Sequence, residues 1–338
     1  MSIELNAQER RRLLRIAIGS SIGFLVCKLM GWPYGVFFTV YPMLLLGMLP
    51  RFDALIGAQF VLGTALNALE AWFLCGVLSP YPLVMTIAVL LVYCFHFRLM
   101  AATPYFLLGA TGLVTLSTLL HFSSYHNTAI MDMVTATLLA SVLSVASAAL
   151  CYFLVPEPEP LAPPAPARLS AAQINHRTLL GALLGTVSFV VFQVFDLRDS
   201  LSAQVATMLV LFPMTYQGTV QAGWKRAKGV AIGCLLAVVM QVLLYDLIDH
   251  FVLVTLALFL TVMLTAWLHL VERGGSGMGF GALTTIGILF GQYLKPDKGI
   301  IFGAAYRLAS VSVAILTVVA LAYLLAGLLN RFALTREQ

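Results

Sequence analysis

Long continuous runs of apolar residues, separated by short breaks, fill this chain almost from end to end. Each run approaches or exceeds the roughly 20 residues that a membrane-spanning helix needs. The strands of a membrane barrel would instead alternate apolar and polar residues. Only 10% of the residues are charged, whereas a soluble domain carries about 25%. The runs therefore predict an all-α polytopic membrane protein, and they exclude a soluble enzyme, a nucleic-acid-binding protein and a secreted disulfide-rich domain.

The breaks between the runs contain proline, glycine or charged residues, as at Trp32-Pro33, Pro80-Tyr81-Pro82 and Lys295-Pro296-Asp297. Because such residues end helices and form turns, the breaks divide the chain into about twelve predicted transmembrane helices. These helices cover residues 13–31, 34–49, 54–78, 83–100, 102–122, 129–155, 178–197, 200–217, 220–245, 251–269, 275–294 and 302–329.

Basic residues indicate the orientation, because Lys and Arg accumulate in the cytoplasmic loops of membrane proteins. An even number of spans also places the two termini on the same side of the membrane. We therefore expect both termini to be cytoplasmic. With the N-terminus inside, the outer side holds only five of the nineteen basic residues, namely Lys28, Arg198, Lys295, Lys298 and Arg307.

Three motif pairs recur in the same order in the two halves of the chain. This preserved order predicts two six-helix repeats, residues 1–155 and 177–338, joined by a Pro-rich cytoplasmic linker over 156–176. Six is even, so the repeats would share one orientation and be related by an axis along the membrane normal. The motif pairs are Arg15-x-x-x-Gly19-x-x-x-Gly23 with Arg177-x-x-x-Gly181-x-x-x-Gly185, His96 with His269, and Leu108-Gly109-Ala110 with Phe280-Gly281-Ala282.

Small residues spaced four apart let helix backbones approach each other closely in a membrane. For any single pair of this kind, the alternative is a chance occurrence in a chain with 26 glycines. The six glycines that we expect to serve helix packing are Gly19, Gly23, Gly181, Gly185, Gly229 and Gly233.

Motifs for catalysis and cofactor binding are missing from the sequence: it has no Walker A, no H-E-x-x-H and no G-x-S-x-G. Residues 277–282 fit G-x-G-x-x-A only formally, because no strand precedes them. The five cysteines lie in apolar runs without a C-x-x-C pair, as is typical of small buried side chains rather than metal ligands. We therefore expect no enzyme activity, no cofactor and no metal. Any uphill transport would draw on an ion gradient or on a separate subunit.

Four of the charged residues inside the apolar spans, where a charge costs roughly 2.5–3.5 kcal/mol near the bilayer centre, are candidates for the transport pathway: Glu70, Lys28, Asp132 and Arg307. Glu70 lies deepest, about 6 Å outward from the middle of helix 3, and is predicted to carry a proton or a coupling ion. The alternative for Glu70 is a buried pair with Lys28. Asp132 and Arg307 occupy matching places near the starts of helices 6 and 12, and Arg307 could bind a substrate carboxylate in a bidentate manner. Snorkelling or a structural ion pair is the alternative for Lys28, Asp132 and Arg307.

The predicted cytoplasmic helix ends carry two histidines and a basic cluster. His96 and His269 are candidates for the transport pathway, and a hydrogen-bonded structural histidine is the alternative for both. Lys225 and Arg226, with Lys228, either anchor the helix at the membrane surface or gather an anionic substrate at the inner mouth.

The segment from Trp224 to Gly233 resembles the R-x-x-G-[TV]-x-x-G helix start of the fusaric-acid-resistance and aromatic-acid-exporter superfamily. Tyr306-Arg307 is similar to the arginine that opens the last helix of that family's repeat. The resemblance covers the chain as a six-plus-six membrane body of the short, membrane-only branch. The first half departs from the pattern, with Gln59 where Gly229 stands and Asp132 where Arg307 stands.

This resemblance implies an inner-membrane exporter of weak, often aromatic, carboxylic acids or similar toxic compounds in a Gram-negative bacterium. It implies coupling to the proton gradient. The expected partners are a periplasmic adaptor of the membrane-fusion type, membrane lipid and a small organic anion. A homo-oligomer is compatible with this interpretation. The superfamily is also related to plant anion channels built as dimers of six-helix units, which implies a fused pseudo-dimer with its pathway between the halves.

In the cycle that we expect, the anion enters near Lys225 and Arg226 and reaches Arg307, and proton uptake at Glu70 drives the return step. A passive anion channel and a non-transporting membrane assembly subunit are the alternatives. The depth of Glu70 favours coupling, because a carboxylate in a passive anion path would repel the permeant ion.

Overall fold

The computed structural model describes residues 5–49, 51–123, 130–157, 169–244, 247, 250–272, 275, 277–293 and 300–336. Within these ranges the chain is entirely helical apart from turns and connections. There are two short 3₁₀ turns, at Arg198–Ser200 and Ala333–Thr335. The α-helices are α1 Ala7–Leu29, α2 Gly35–Met48, α3 Ala54–Val77, α4 Pro82–Ala102, α5 Phe106–Ser123, α6 Ile130–Leu154, α7 Ala171–Val194, α8 Leu201–Val210, α9 Tyr216–Leu243, α10 Phe251–Val271, α11 Met278–Tyr293 and α12 Ile300–Leu329.

The predicted boundaries differ most from the structure around α7 and α8. Helix α7 begins at Ala171, before the predicted residue 178, because Ser170 and Gln173 form a reciprocal capping box there. Helix α8 ends at Val210, before the predicted residue 217, in a turn where Met214 has a φ of 55°. A left-handed residue cannot continue a right-handed helix, so the chain turns here and begins α9.

Among the residues that the structure describes, seven helices are long and apolar enough to cross a membrane: α3, α4, α6, α7, α9, α10 and most of α12. Many of their large apolar side chains are exposed, as Leu83, Phe153 and Phe302 are. In water such side chains would form a large exposed apolar patch that promotes aggregation, whereas lipid tails cover them at no cost in free energy. The prediction of an all-α polytopic membrane protein is therefore confirmed.

Four apolar helices are shorter: α2, α5, α8 and α11. Helix α2 has 14 residues and α8 has ten, which correspond to about 21 and 15 Å at 1.5 Å per residue. Both lengths fall short of the roughly 30 Å hydrocarbon core. All ten residues of α8 and nearly all of α2 are buried, as expected for helices that are apolar on every side. The four short helices are the second and fifth of each predicted repeat.

The chain forms two compact units, each composed of helices from both predicted repeats. The first unit comprises residues 1–61, 135–163 and 225–309, and the second comprises residues 62–134, 164–224 and 310–338. Four of the five boundaries between them fall inside α3, α6, α9 and α12, and the fifth falls between residues 163 and 164, outside the described residues. The division into the repeats 1–155 and 177–338 stays a prediction.

In the first unit, α1 packs on α2 and α10, and α11 packs on α2 and α10. The contact of α1 with α2 forms where Pro42 interrupts α2. Proline has no N–H, so it cannot donate to the carbonyl of Phe38. The backbone of Gly23 lies directly against that carbonyl, and a Cβ there would clash with it. Helices α2 and α11 meet at a second pair of small residues, Gly35 and Gly291.

The second unit repeats these pairings with other helices: α4 packs on α7 and α5, and α8 packs on α5 and α7. Two polar contacts support α7. The hydroxyl of Ser188 donates to Gln204 on α8 at 2.8 Å. The side chain of His176 donates through Nδ1 to the carbonyl oxygen of Thr335 at 2.7 Å, which ties α7 to the C-terminal 3₁₀ turn.

Several residues used in the sequence predictions lie outside the described residues. Most of the Pro-rich linker is among them, since residues 158–168 are not described. The others are four basic residues of the charge count, Arg168, Arg273, Lys295 and Lys298, together with the side chain of Arg198.

Candidate functional site

The carboxylate of Glu70 is paired with a histidine inside the second unit. Glu70 Oε2 on α3 lies 3.0 Å from His96 Nε2 on α4. The His96 side chain is fully buried and that of Glu70 is 14% exposed. The partner of Glu70 is therefore His96 and not Lys28. Glu70 had been placed outward of the middle of its helix and His96 at an inner helix end, but the contact joins them at one level.

Two further polar groups lie one helical turn from this pair. Asn67 precedes Glu70 by three residues on α3, and Tyr93 precedes His96 by three residues on α4, so each shares a face with its neighbour. Asn67 is fully buried, and neither its amide oxygen nor its nitrogen has a hydrogen-bond partner among the described residues. The same holds for the Tyr93 hydroxyl. We refer to Asn67, Glu70, Tyr93 and His96 as the α3–α4 polar cluster.

Two glycines of α5 leave the space that the imidazole of His96 occupies. A Cβ on Gly112 would overlap the His96 ring, and one on Gly109 would lie 2.6 Å from the His96 carbonyl oxygen. Helix α5 can therefore lie flat against α4 only because these two residues lack side chains. The same contact holds the ring in the orientation that meets Glu70.

The histidine at the corresponding place in the second half has a different partner. His269 on α10 is buried and donates through Nε2 to the carbonyl oxygen of Gly47 at 2.9 Å. The guanidinium of Arg12 donates to the carbonyl oxygens of Gly47 and Leu46. His269 and Arg12 thus satisfy carbonyl groups at the end of α2, which the helix itself leaves without partners. The structure supports the structural alternative for His269.

Two arginines of the first unit are buried side by side. Arg226 on α9 is 1% exposed and Arg307 on α12 is 2% exposed. Arg307 Nη2 donates to Thr285 Oγ1 on α11 at 3.3 Å. The two guanidinium groups are close enough to repel each other electrostatically. We refer to Arg226 and Arg307 as the arginine pair.

The remaining charged candidates lie at the surface or half-buried. Lys225 and Asp132 are exposed, so the predicted equivalence of Asp132 and Arg307 does not extend to their burial. The ammonium of Lys28 lies 5.7 Å from the centre of the Phe24 ring.

The small-residue motifs contact different partners in the two units. A Cβ on Gly19 would lie 2.5 Å from Leu46 of α2, whereas one on Gly181 would lie 2.5 Å from the Phe97 ring of α4. Gly185 faces Tyr93, which also lies on α4. Gly229 and Gly233 both face the backbone of α11. All six glycines therefore lie at close helix contacts.

A buried ion pair was not anticipated from the sequence. Arg15 Nη2 lies 3.2 Å from Glu157 Oε2, and the two side chains are 1% and 7% exposed. The Arg15 guanidinium also lies 4.0 Å from the centre of the Tyr152 ring. The charge count had treated Arg15 only as an indicator of orientation. Its position four residues before Gly19, on the same face as the G-x-x-x-G motif, was the available signal for burial.

A cleft of about 830 Å³ opens in the second unit between the start of α9 and the end of α12. Its lining includes Tyr216, Tyr323 and Arg331, and the two tyrosine rings lie 5.6 Å apart. None of the residues predicted for the pathway lines it. In the part of the chain that the structure describes, no group of three or more His, Cys, Asp or Glu side chains could hold a metal ion.

Comparison with known families divides the chain near its middle. Residues 12–151 match the family described as "Protein of unknown function (DUF2955)". Residues 186–321 match the family described as "Fusaric acid resistance protein-like", and this match contains both members of the arginine pair. No curated protein and no solved structure matches the chain. Residues 186–321 are therefore similar to fusaric-acid-resistance proteins, and residues 12–151 are similar to a family without an assigned function.

Proposed function

We propose that this multi-pass membrane protein is a secondary exporter of organic weak acids, in particular aromatic carboxylates, and that it is driven by the proton gradient. The similarity of residues 186–321 to fusaric-acid-resistance proteins supports transport of acids. The observation that carries proton coupling is the pair of Glu70 and His96, joined at 3.0 Å within two apolar helices.

A carboxylate and an imidazole are the side chains from which proton relays in membranes are built. Each of them gains or loses a proton without any other chemical change. In the pair, the transferred proton is held between Glu70 Oε2 and His96 Nε2. The pair is nearly dry, so a change in its protonation changes its interaction with the surrounding helices more strongly than it would in water. Asn67 and Tyr93 supply further polar atoms one turn away, to which a proton or a water could pass.

Two alternatives from other classes are tested by the same measurements. A passive anion channel would conduct along the anion gradient and would not need the Glu70 carboxylate. A non-transporting membrane assembly subunit would show no flux at all. Proton coupling is favoured because a carboxylate held at 14% exposure inside apolar helices costs free energy that a packing role does not require.

The proposal places the chain in the inner membrane of a bacterium, where it works with a periplasmic adaptor of the membrane-fusion type. The connection between α3 and α4 is short, so an adaptor would contact helix ends or pack a span of its own against the exposed apolar faces. Lipid covers the remaining apolar surface.

Flux of radiolabelled hydroxybenzoate in everted membrane vesicles tests the function. An exporter that exchanges an outgoing anion for incoming protons should accumulate the label in vesicles with an acidic interior. Glu70→Gln should lower this gradient-driven uptake to the level of vesicles without the protein. Asp199→Asn is the matched control, because it removes an exposed carboxylate of the same unit, and it should transport like the wild type.

Each outcome of the flux measurement decides between the functions. Uptake by Glu70→Gln at the wild-type rate and with the wild-type pH dependence would show that the carboxylate only packs. Flux that ignores the proton gradient in the wild type would show a channel. Flux equal to that of empty vesicles would show an assembly subunit.

The orientation gives a further prediction. We expect both termini to be cytoplasmic, because most basic residues then face inward. Alkaline phosphatase is active only in the periplasm, so a fusion after Gln338 should be inactive. An insertion between Leu78 and Tyr81, in the connection of α3 to α4, should be active. The reverse pattern of activities would invert the assigned orientation.

A further inference from the structure

We propose that the arginine pair, Arg226 and Arg307, binds the carboxylate group of the transported acid between α9, α11 and α12. This inference deepens the proposed function, because it names the site and the chemical group by which the exporter would recognise its substrate. Four observations support it: the common strip of α11 that both arginines reach, the burial of both, the unpartnered guanidinium of Arg226, and the close approach of α9 to α11.

Both side chains reach the same strip of α11. A Cβ placed on Gly281 would lie 3.5 Å from Cδ of Arg226. Arg307 contacts Thr285, four residues further along α11. Residues four apart on a helix lie on one face, with Cβ atoms about 5–6 Å apart. The two arginine side chains therefore contact one face of α11 at positions about one helical turn apart, where we expect one carboxylate to reach both.

The positive charge of Arg226 is not balanced by the described residues. None of its three guanidinium nitrogens has a hydrogen-bond partner among them. Its electrostatic neighbour is Arg307, which has the same sign. A guanidinium stays charged in proteins, and a buried charge is costly unless it is paired and hydrogen-bonded. Two such groups side by side raise that cost further.

The described carboxylates of the first unit are engaged elsewhere. Each of them has a hydrogen-bond or ion-pair partner. The pairs are Glu9 with the backbone of Asn6, Asp53 with Arg51, Glu157 with Arg15, and Glu272 with the backbone N–H of Gly279. An anion from outside the described chain is therefore the natural counter-charge for Arg226.

Glycines hold Arg226 in this position. A Cβ on Gly229 would clash with the carbonyl oxygen of Met278, and one on Gly233 would lie 2.8 Å from that of Ala282. The start of α9 thus lies directly on the backbone of α11. Arg226 precedes Gly229 by three residues, so it shares this face and points into the protein, while the neighbouring Lys225 is exposed.

A carboxylate fits the site better than a cation, a neutral compound or a single-atom anion. Arginine presents its N–H groups in a planar fork that matches the two oxygens of a carboxylate. The hydroxyl of Thr285 accepts from Arg307, and it donates to the carbonyl oxygen of Gly281 at 2.8 Å. The backbone of Gly229 and of Gly281 lies beside Arg226.

Binding is measured on the purified full-length protein in detergent, with benzoate as the probe and no proton gradient. Benzoate should raise the melting temperature and bind measurably by calorimetry, whereas benzamide, which is neutral and of the same shape, should not. Arg226→Gln and Arg307→Gln should each weaken benzoate binding at least tenfold. Arg51→Gln, which neutralises an exposed arginine of the same unit, should bind like the wild type.

Two additional variants keep the test decisive if a glutamine variant does not fold. Arg226→Lys and Arg307→Lys keep the charge but lose the planar fork, so they should fold and still bind benzoate severalfold more weakly. Binding by all four variants with wild-type affinity would overturn the proposal. Equal stabilisation by chloride, with no competition from benzoate, would assign the pair to a halide instead and would also overturn it.

The binding measurement and the flux measurement fail independently. Glu70→Gln should bind benzoate normally, because Glu70 belongs to the other compact unit. If benzoate binds through the arginine pair but no proton-driven flux is found, the carboxylate site stands and the exporter function falls. If flux is proton-driven but benzoate binding ignores both arginines, the exporter stands and this site falls.

Discussion

When Gly229 is replaced with alanine, we expect most of the expressed protein to fail to fold. The added Cβ would clash with the backbone carbonyl of Met278 and lie 3.0 Å from the backbone nitrogen of Ala282. Backbone atoms of a buried helix cannot rotate away as a flexible side chain does, so α9 and α11 must separate. Overpacking of this kind costs typically 1–3 kcal/mol, occasionally more, and the loss of close packing over two adjoining turns places this substitution at the upper end.

The matched control is Gly327→Ala, the same substitution inside another long helix. No atom lies within 4 Å of a Cβ at Gly327, and alanine favours a helix over glycine by about 1 kcal/mol. Gly327→Ala should therefore melt at or slightly above the wild-type temperature. Size-exclusion chromatography of the solubilised proteins and a thermal melt compare the two. A Gly229→Ala protein that is monodisperse and melts with the wild type would refute the close contact of α9 and α11.

The second large effect is expected at His96. His96→Leu should lower the free energy of unfolding by roughly 2–4 kcal/mol, because it leaves the Glu70 carboxylate in an apolar surrounding without its partner. Glu70→Leu should cost less, since a neutral imidazole tolerates the loss of its partner better than a carboxylate does. The double variant with leucine at both positions should recover most of the loss, because no unpaired polar group is then left behind.

These three variants and the wild type form a double-mutant cycle, measured by thermal or denaturant unfolding in one detergent. An interaction energy of at least about 1 kcal/mol is expected for two groups in direct contact. The matched cycle pairs Glu70→Leu with His269→Leu, whose imidazole donates to the backbone of Gly47 in the other unit, and it should be additive. Strict additivity of Glu70→Leu and His96→Leu would show that the pair contributes nothing to the folded state.

The transport readout separates these stability effects from function. The double variant is expected to fold and yet to lack gradient-driven uptake of hydroxybenzoate, because neither leucine exchanges a proton. Stability restored without transport restored is the combination that a purely structural pair would not produce.

Helix positions could be predicted from sequence because they depend on local properties. Proline and glycine end a helix through their own backbone geometry. In the structure, α2, α3 and α10 accordingly begin within one residue of the predicted positions. The start of α7 was missed because the capping box at Ser170 lies in polar sequence, outside the apolar run that the prediction followed. The end of α8 was missed because a left-handed residue such as Met214 leaves no trace in hydropathy.

The candidate site was predicted less completely, since burial and pairing are not local. Glu70, His96, Arg226 and Arg307 were all identified as unusual residues, but their partners were not. Nothing in the sequence separates the buried Arg226 from the exposed Lys225 beside it, because one helical step of 100° decides which of the two points inward. Asn67 and Thr285 were not identified at all, since a single uncharged polar residue in an apolar run is common.

Apolar run length, the scarcity of charge and the turn-forming breaks determined by themselves that this chain is an all-helical membrane protein, because lipid leaves a backbone few other ways to satisfy its hydrogen bonds. The tertiary structure alone decided that Glu70 meets His96, that Arg226 lies beside Arg307, and that each compact unit takes helices from both halves of the chain. Those outcomes depend on which helix faces come together, and in a membrane that choice is made by close packing at residues such as Gly112 and Gly229, since helix association there gains no help from the hydrophobic effect.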